Sequence, residues 1–102
     1  MHLKFLIALL FTASVFGQQA DYEKAEAYFK AEKFEHAKPL FSAYLKAHPK
    51  HAKTREYLGD IAAYAEDWDT AIAYYEPLVE EQPSSASYHF KFGGALGMKA
   101  LN

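Results

Sequence analysis

Residues 28–52, YFKAEKFEHAKPLFSAYLKAHPKHA, lie over residues 62–86, AAYAEDWDTAIAYYEPLVEEQPSSA, without a gap when displaced by 34 positions. Phe34 falls on Trp68, Ala37 on Ala71, Phe41 on Tyr75, Leu45 on Val79 and Pro49 on Pro83. An internal repeat of this length constrains the chain more than any local motif. One supersecondary unit must recur, and neighbouring units must bury each other's apolar faces.

Within each copy the apolar residues follow the three-and-four spacing of amphipathic helices, as at Ala25, Tyr28 and Phe29 and again at Leu40, Phe41, Tyr44 and Leu45. The spacing predicts five helices over residues 20–31, 34–47, 52–65, 68–81 and 86–100, separated by the polar joints AEK, HPKH, AED and EQPSS. Pro49 and Pro83 stop the helices before them, because proline cannot continue one. Ser84 or Ser85 can cap the helix that follows. Ala37, Gly59 and Ala71 are small where two helices of a hairpin cross, and Gly93 inherits the Gly59 slot, so it too is expected at a close helix contact. Gly94 and Gly97 weaken helix propensity and are expected to mark where a missing helix or a ligand comes close to the backbone. Pro39 lies near a first turn, and Pro77 is expected to bend its helix.

The slots filled at this one spacing are Leu58-Gly59, Trp68, Ala71, Tyr75 and Pro83 in one copy, Ala25, Tyr28, Phe34, Ala37, Phe41 and Pro49 in the other, and Phe92-Gly93 opening a third. In this pattern the chain resembles tetratricopeptide-repeat (TPR) proteins, over roughly residues 19–102. The resemblance implies an all-α fold, a TPR-type α-solenoid of antiparallel helix hairpins. Its repeats would span residues 18–51 and 52–85, with residues 86–102 the first helix of an incomplete third. The N-terminus, YLGDIA and GGALGMKA together also resemble exported TPR proteins of the Bacteroidetes type.

Residues 1–17 read as a signal peptide. Lys4 precedes an uncharged, mostly apolar run of twelve residues from Phe5 to Phe16, short of the about 20 that span a bilayer, and small Gly17 follows it. Cleavage after Gly17 would leave Gln18 at the N-terminus of a periplasmic or secreted chain; an uncleaved anchor or a first helix of the fold are the alternatives. After cleavage no membrane span is expected. With no cysteine there is no thiol to lipidate, no disulfide, no thiol catalysis and no sulfur-ligated zinc. Loss of Lys4 leaves ten basic and thirteen acidic residues, interleaved without a basic patch, so nucleic acid is not an expected partner.

In the family a concave groove lined by first-helix positions holds a partner protein or peptide. The resemblance carries this lining onto Tyr22, Glu26, Phe29 and Lys30, onto Glu56, Asp60, Ala63 and Tyr64, and onto Phe90, Gly94 and Gly97. Acids at Glu26 and Asp60, with Asn102 the only asparagine, argue against a clamp for a terminal carboxylate. They point to an acidic, aromatic groove suited to a basic or apolar segment.

Catalysis is not expected. His36, His48 and His51 lack the helical pairing and carboxylate of a metal motif and read as solvated loop side chains. Carboxylates in an open groove are expected to be solvated, without the shifted pair that acid–base catalysis needs. GGALGMKALN has Ala100 where a phosphate loop needs a hydroxyl, and no strand before it. The expectation is a non-enzymatic exported scaffold with no cofactor and no metal, the N-terminal part of a longer array. The alternative is a homodimer through the apolar final helix, which carries Tyr88, Phe90, Phe92, Leu96, Met98 and Leu101.

Overall fold

The computed structural model describes residues 17–102, so the expected signal peptide lies, but for Gly17, outside the described residues. These form five α-helices: α1 over residues 17–30, α2 Phe34–Ala47, α3 Ala52–Tyr64, α4 Trp68–Glu81 and α5 Ala86–Leu101. There is no strand among the described residues. The all-α repeat reading holds, with helix ends within about three residues of those the periodicity predicts. Pro77 lies inside α4 without ending it.

The chain divides into two compact units, one ending at Leu40 and the other Phe41–Asn102. In the first, α1 and the start of α2 form a hairpin. Tyr28 packs on His36 at 5.1 Å and Phe29 meets Phe34 edge-on at 5.4 Å between ring centroids. Ala25 and Ala37 are fully buried.

In the second unit α3 and α4 are antiparallel. Arg55 at the start of α3 reaches Glu81 at the end of α4, and Gly59 lies against Tyr75 midway. α5 then returns beside α4, with Lys99 at its end 2.6 Å from Asp69 at the start of α4. Ala62, Ala71, Tyr75 and Ala95 form the core between these three helices, with Ala63, Trp68, Ile72 and Phe92 packed around it. Phe41 is fully buried and stacks on Tyr57 at 4.5 Å with the rings 16° apart.

Both hairpins close through the same turn, 34 residues apart. Glu32 and Glu66 each adopt φ 59°. Lys33 donates its backbone N–H to the Tyr28 carbonyl and Glu32 to that of Phe29; Asp67 and Glu66 repeat this to Ala62 and Ala63. This is the paired bonding of a Schellman motif, with glutamate where glycine is the usual residue. Helix starts are capped by side chains: Asp67 accepts from the Thr70 N–H and Ser85 from the Tyr88 N–H. His51 does the same for α3. Its Nδ1 accepts from the Thr54 N–H and lies 2.7 Å from the Thr54 hydroxyl, so it is a cap where solvation was expected. His36 packs on Tyr28, and His48 on Tyr44 at 4.4 Å.

The glycines depart from the repeat logic. A methyl group on Gly59 would lie 2.5 Å from a ring carbon of Tyr75 and 3.2 Å from the Tyr74 Cβ. At Gly93, Gly94 and Gly97 no neighbouring group among the described residues stands within 4 Å of where a methyl would go. Among the described residues no helix packs on Gly93 as α4 packs on Gly59, and none comes close to Gly94 or Gly97. Gly93 occupies the Gly59 slot on a face of α5 that no helix among the described residues covers. The same substitution should thus act with opposite sign at equivalent positions. Gly59→Ala is expected to destabilise by about 1–3 kcal/mol through overpacking, and Gly93→Ala to stabilise by up to about 1 kcal/mol through helix propensity. Urea unfolding of both variants reads the two signs.

Candidate functional site

The residues that converge most closely come from α3, α4 and α5. Parallel α3 and α5 are one repeat apart, so residues separated by about 34 positions are neighbours. Lys91 on α5 extends its ammonium to Glu56 Oε2 at 2.6 Å and Asp60 Oδ2 at 2.9 Å on α3. From α4 the Tyr75 hydroxyl donates to Asp60 Oδ1 at 2.6 Å. Lys53 meets the other oxygen of Glu56 at 3.3 Å. Two carboxylates and two ammonium groups thus balance. Beside them opens a hollow of about 380 Å³ lined by Asp60, Ala63, Tyr64, Tyr75 and Lys91.

Burial sharpens these contacts, because charge pairs gain strength as water is removed. Glu56 is only 7% exposed, which corrects the expectation of solvated carboxylates. Burial alone would raise its carboxyl above the usual range, but the Lys91 hydrogen bond and charge, aided by Lys53, outweigh that and hold it below. Burial likewise acts to lower Lys91, and the hydrogen bonds it donates to Asp60 and Glu56, with their charges, reverse it, leaving its ammonium harder to deprotonate than usual. Burial pushes the Tyr75 phenol well up, and its bond to the Asp60 carboxylate adds to the shift.

The other groove positions from the sequence are placed as follows. Tyr64 and Phe90 are exposed, at 64% and 82%, and so are Gly94 and Gly97. In the first unit Tyr22 is buried, Glu26 and Phe29 are half-buried and Lys30 is exposed. The buried repeat positions are Ala25, Ala37, Phe41, Gly59, Ala71 and Tyr75; Phe34 and Trp68 are half-buried, and Pro49, Pro83 and Gly93 are exposed.

Sequence reasoning missed Lys91, although its separation from Glu56 and Asp60, 35 and 31 residues, brackets the repeat period and could have signalled it. At Glu56 and Asp60 the acidity expected of the groove is offset, since these two carboxylates carry their own counter-ions. Also missed was Arg55, buried and gripping both oxygens of Glu81 at 2.7 Å while donating to the Lys50 carbonyl at 2.8 Å. That two-pronged bond to Glu81 raises the guanidinium pKa further, against burial, and lowers that of the Glu81 carboxyl. It ties the α2–α3 connection to the end of α4.

The titration directions fix a stability profile. Glu56, held below its unfolded value of about 4.3, stabilises above that pH and ceases to as pH falls through the folded value. Lys91 and Tyr75, both raised, stabilise below their unfolded values of about 10 and cease to as pH rises through the folded ones. Melting temperature is expected to be flat near neutrality and to fall at both ends. Lys91→Met leaves a buried carboxylate short of a counter-ion and is expected to cost about 2 kcal/mol at neutral pH. In that variant Glu56 loses the Lys91 bond and charge and titrates higher than in the wild type, so the deficit should narrow as pH falls through the carboxylate range. Thermal melts of both proteins across pH check the narrowing.

No curated protein matches the chain significantly. The family model for the tetratricopeptide repeat matches residues 22–86 and, a second time, residues 58–96. Those spans cover the hairpins, the recurring turns and the residues of the α3–α5 cluster. The chain therefore belongs to the tetratricopeptide-repeat family.

Proposed function

We propose that this chain is a non-enzymatic scaffold that binds a protein or peptide partner on the α3–α5 face of its second unit. Tetratricopeptide repeats generally mediate protein–protein interaction. The observation that carries the reading here is an open hollow walled by Tyr64 and Tyr75 beside a rigid, ion-paired floor. An exposed aromatic, Tyr64, beside a fixed support supplies contact area at little entropic cost. The acids serve as structure in this reading, since each already holds a lysine or a tyrosine hydroxyl. Tyr64 is the side chain to remove, because it is exposed and at the end of α3. Peptides selected from a displayed random library are expected to lose about tenfold in affinity for Tyr64→Ala, read by calorimetry. Unchanged affinity would sink the assignment of this face.

The apolar leader of residues 5–16 supports export with cleavage before Gln18. No helix among the described residues is long and apolar enough to cross a membrane. A second reading, self-association, is favoured by the outer stripe of α5. Phe90, Gly94, Gly97 and Leu101 follow one another at spacings of 4, 3 and 4, so they share one helix face. The stripe is uncharged and reads alike from either end, and Phe90 and Leu101 are more than four-fifths exposed. Two antiparallel copies could bring glycine against glycine and apolar against apolar in an isologous contact. One preparation tests both statements. Chain recovered from the exported fraction is expected to begin at Gln18 by intact mass, and a monomer throughout the micromolar range in sedimentation removes self-association.

A further inference from the structure

We infer that the hollow beside Lys91 seats one uncharged aromatic side chain of a bound peptide, and that Lys91 sets this preference. The inference rests on the peptide-binding reading above and adds the chemistry of the anchor.

The first argument is the repeat. Phe41 and Tyr57 stack ring on ring at 4.5 Å. Displaced by 34, their slots are held by Tyr75 and Lys91. Where the earlier layer has a second ring, the later one has an unbranched chain whose head is drawn away to Glu56 and Asp60. The hollow of about 380 Å³ lies at that place, at the lower end of the range for ligand pockets, about 300–1,000 Å³. An incoming ring beside Tyr75 restores the pairing that the repeat makes one layer earlier, with Tyr64 and Ala63 as the remaining walls.

The second argument is charge. A basic anchor would have to displace Lys91 from two short charge-assisted bonds, at 2.6 and 2.9 Å, to reach either acid. An acidic anchor would lie beside Glu56 and Asp60, whose counter-ions are already engaged. Neither sign gains an unpaired opposite charge, and both lose hydration. An uncharged ring loses little hydration and gains two aromatic neighbours.

A random peptide library displayed on phage and panned against the chain tests this, with affinities of the selected peptides measured by calorimetry and each variant's helicity checked by circular dichroism. Binders are expected to share one Phe, Tyr or Trp whose replacement by Lys or Glu weakens them at least about tenfold. Ala63→Leu, which fills the hollow, is expected to weaken the same peptides by a similar factor. Lys91→Met, which uncovers the acids, is expected to raise the relative affinity of peptides carrying Arg in place of the ring by about tenfold. Wild-type binders anchored on a basic, acidic or aliphatic residue overturn the inference while leaving peptide binding standing, and so does indifference to Ala63→Leu. A library that yields no binder overturns the peptide-binding reading and this inference with it.

Discussion

Everything in the second unit turns on how closely α4 passes over residue 59. A side chain there would collide with the Tyr75 ring, so the missing Cβ of Gly59 lets that ring come close against α3. With the ring seated, its hydroxyl arrives 2.6 Å from Asp60 one residue further along. Asp60 in turn holds Lys91, and Lys91 brings α5 alongside α3. A steric permission at one position thus fixes a hydrogen bond, an ion pair and the placement of a third helix. The order of dependence explains why a glycine, costly in a helix interior, is retained at the centre of α3.

Equivalent slots carry different chemistry in successive layers. Slots 41 and 57 hold two stacked rings, and slots 75 and 91 hold a tyrosine and a lysine within a polar cluster. The small residues Ala37, Gly59 and Ala71 are buried in both layers. What varies is how the space between helices is filled. Two stacked rings occupy it in one layer, whereas the charged cluster draws the Lys91 head to one side and a hollow opens beside it. A repeat can in this way preserve its fold while changing what its surface offers.

The helices were legible because periodicity is redundant: no single residue decides where α2 or α4 runs. The core positions Ala37, Phe41, Ala71 and Tyr75 were legible for the same reason. The cap at His51 was not, since histidine is seldom the residue that accepts from a helix N-terminus and its neighbour Thr54 supplies the geometry only once folded. The pairing of Glu56 and Asp60 with Lys91 is a contact between elements a full repeat apart, and charge composition alone spreads acids and bases evenly along the chain. Gly93 differs from Gly59 in its surroundings. Sequence equivalence to Gly59 carried over the residue but not the surroundings, because close packing belongs to a pair of helices and only Gly59 has α4 over it.

The matching turns at Glu32 and Glu66 bear on how the chain comes to be folded. Each is closed by bonds between residues at most five apart in sequence, so a hairpin can set its own angle before any distant contact exists. Loop-closure entropy is small for such short spans, and structures dominated by local contacts fold fast. The left-handed glutamates make the turn less favourable than glycine would, which shifts part of the decision from the turn to the helices it joins. Hairpin formation and helix pairing are then coupled events within each hairpin.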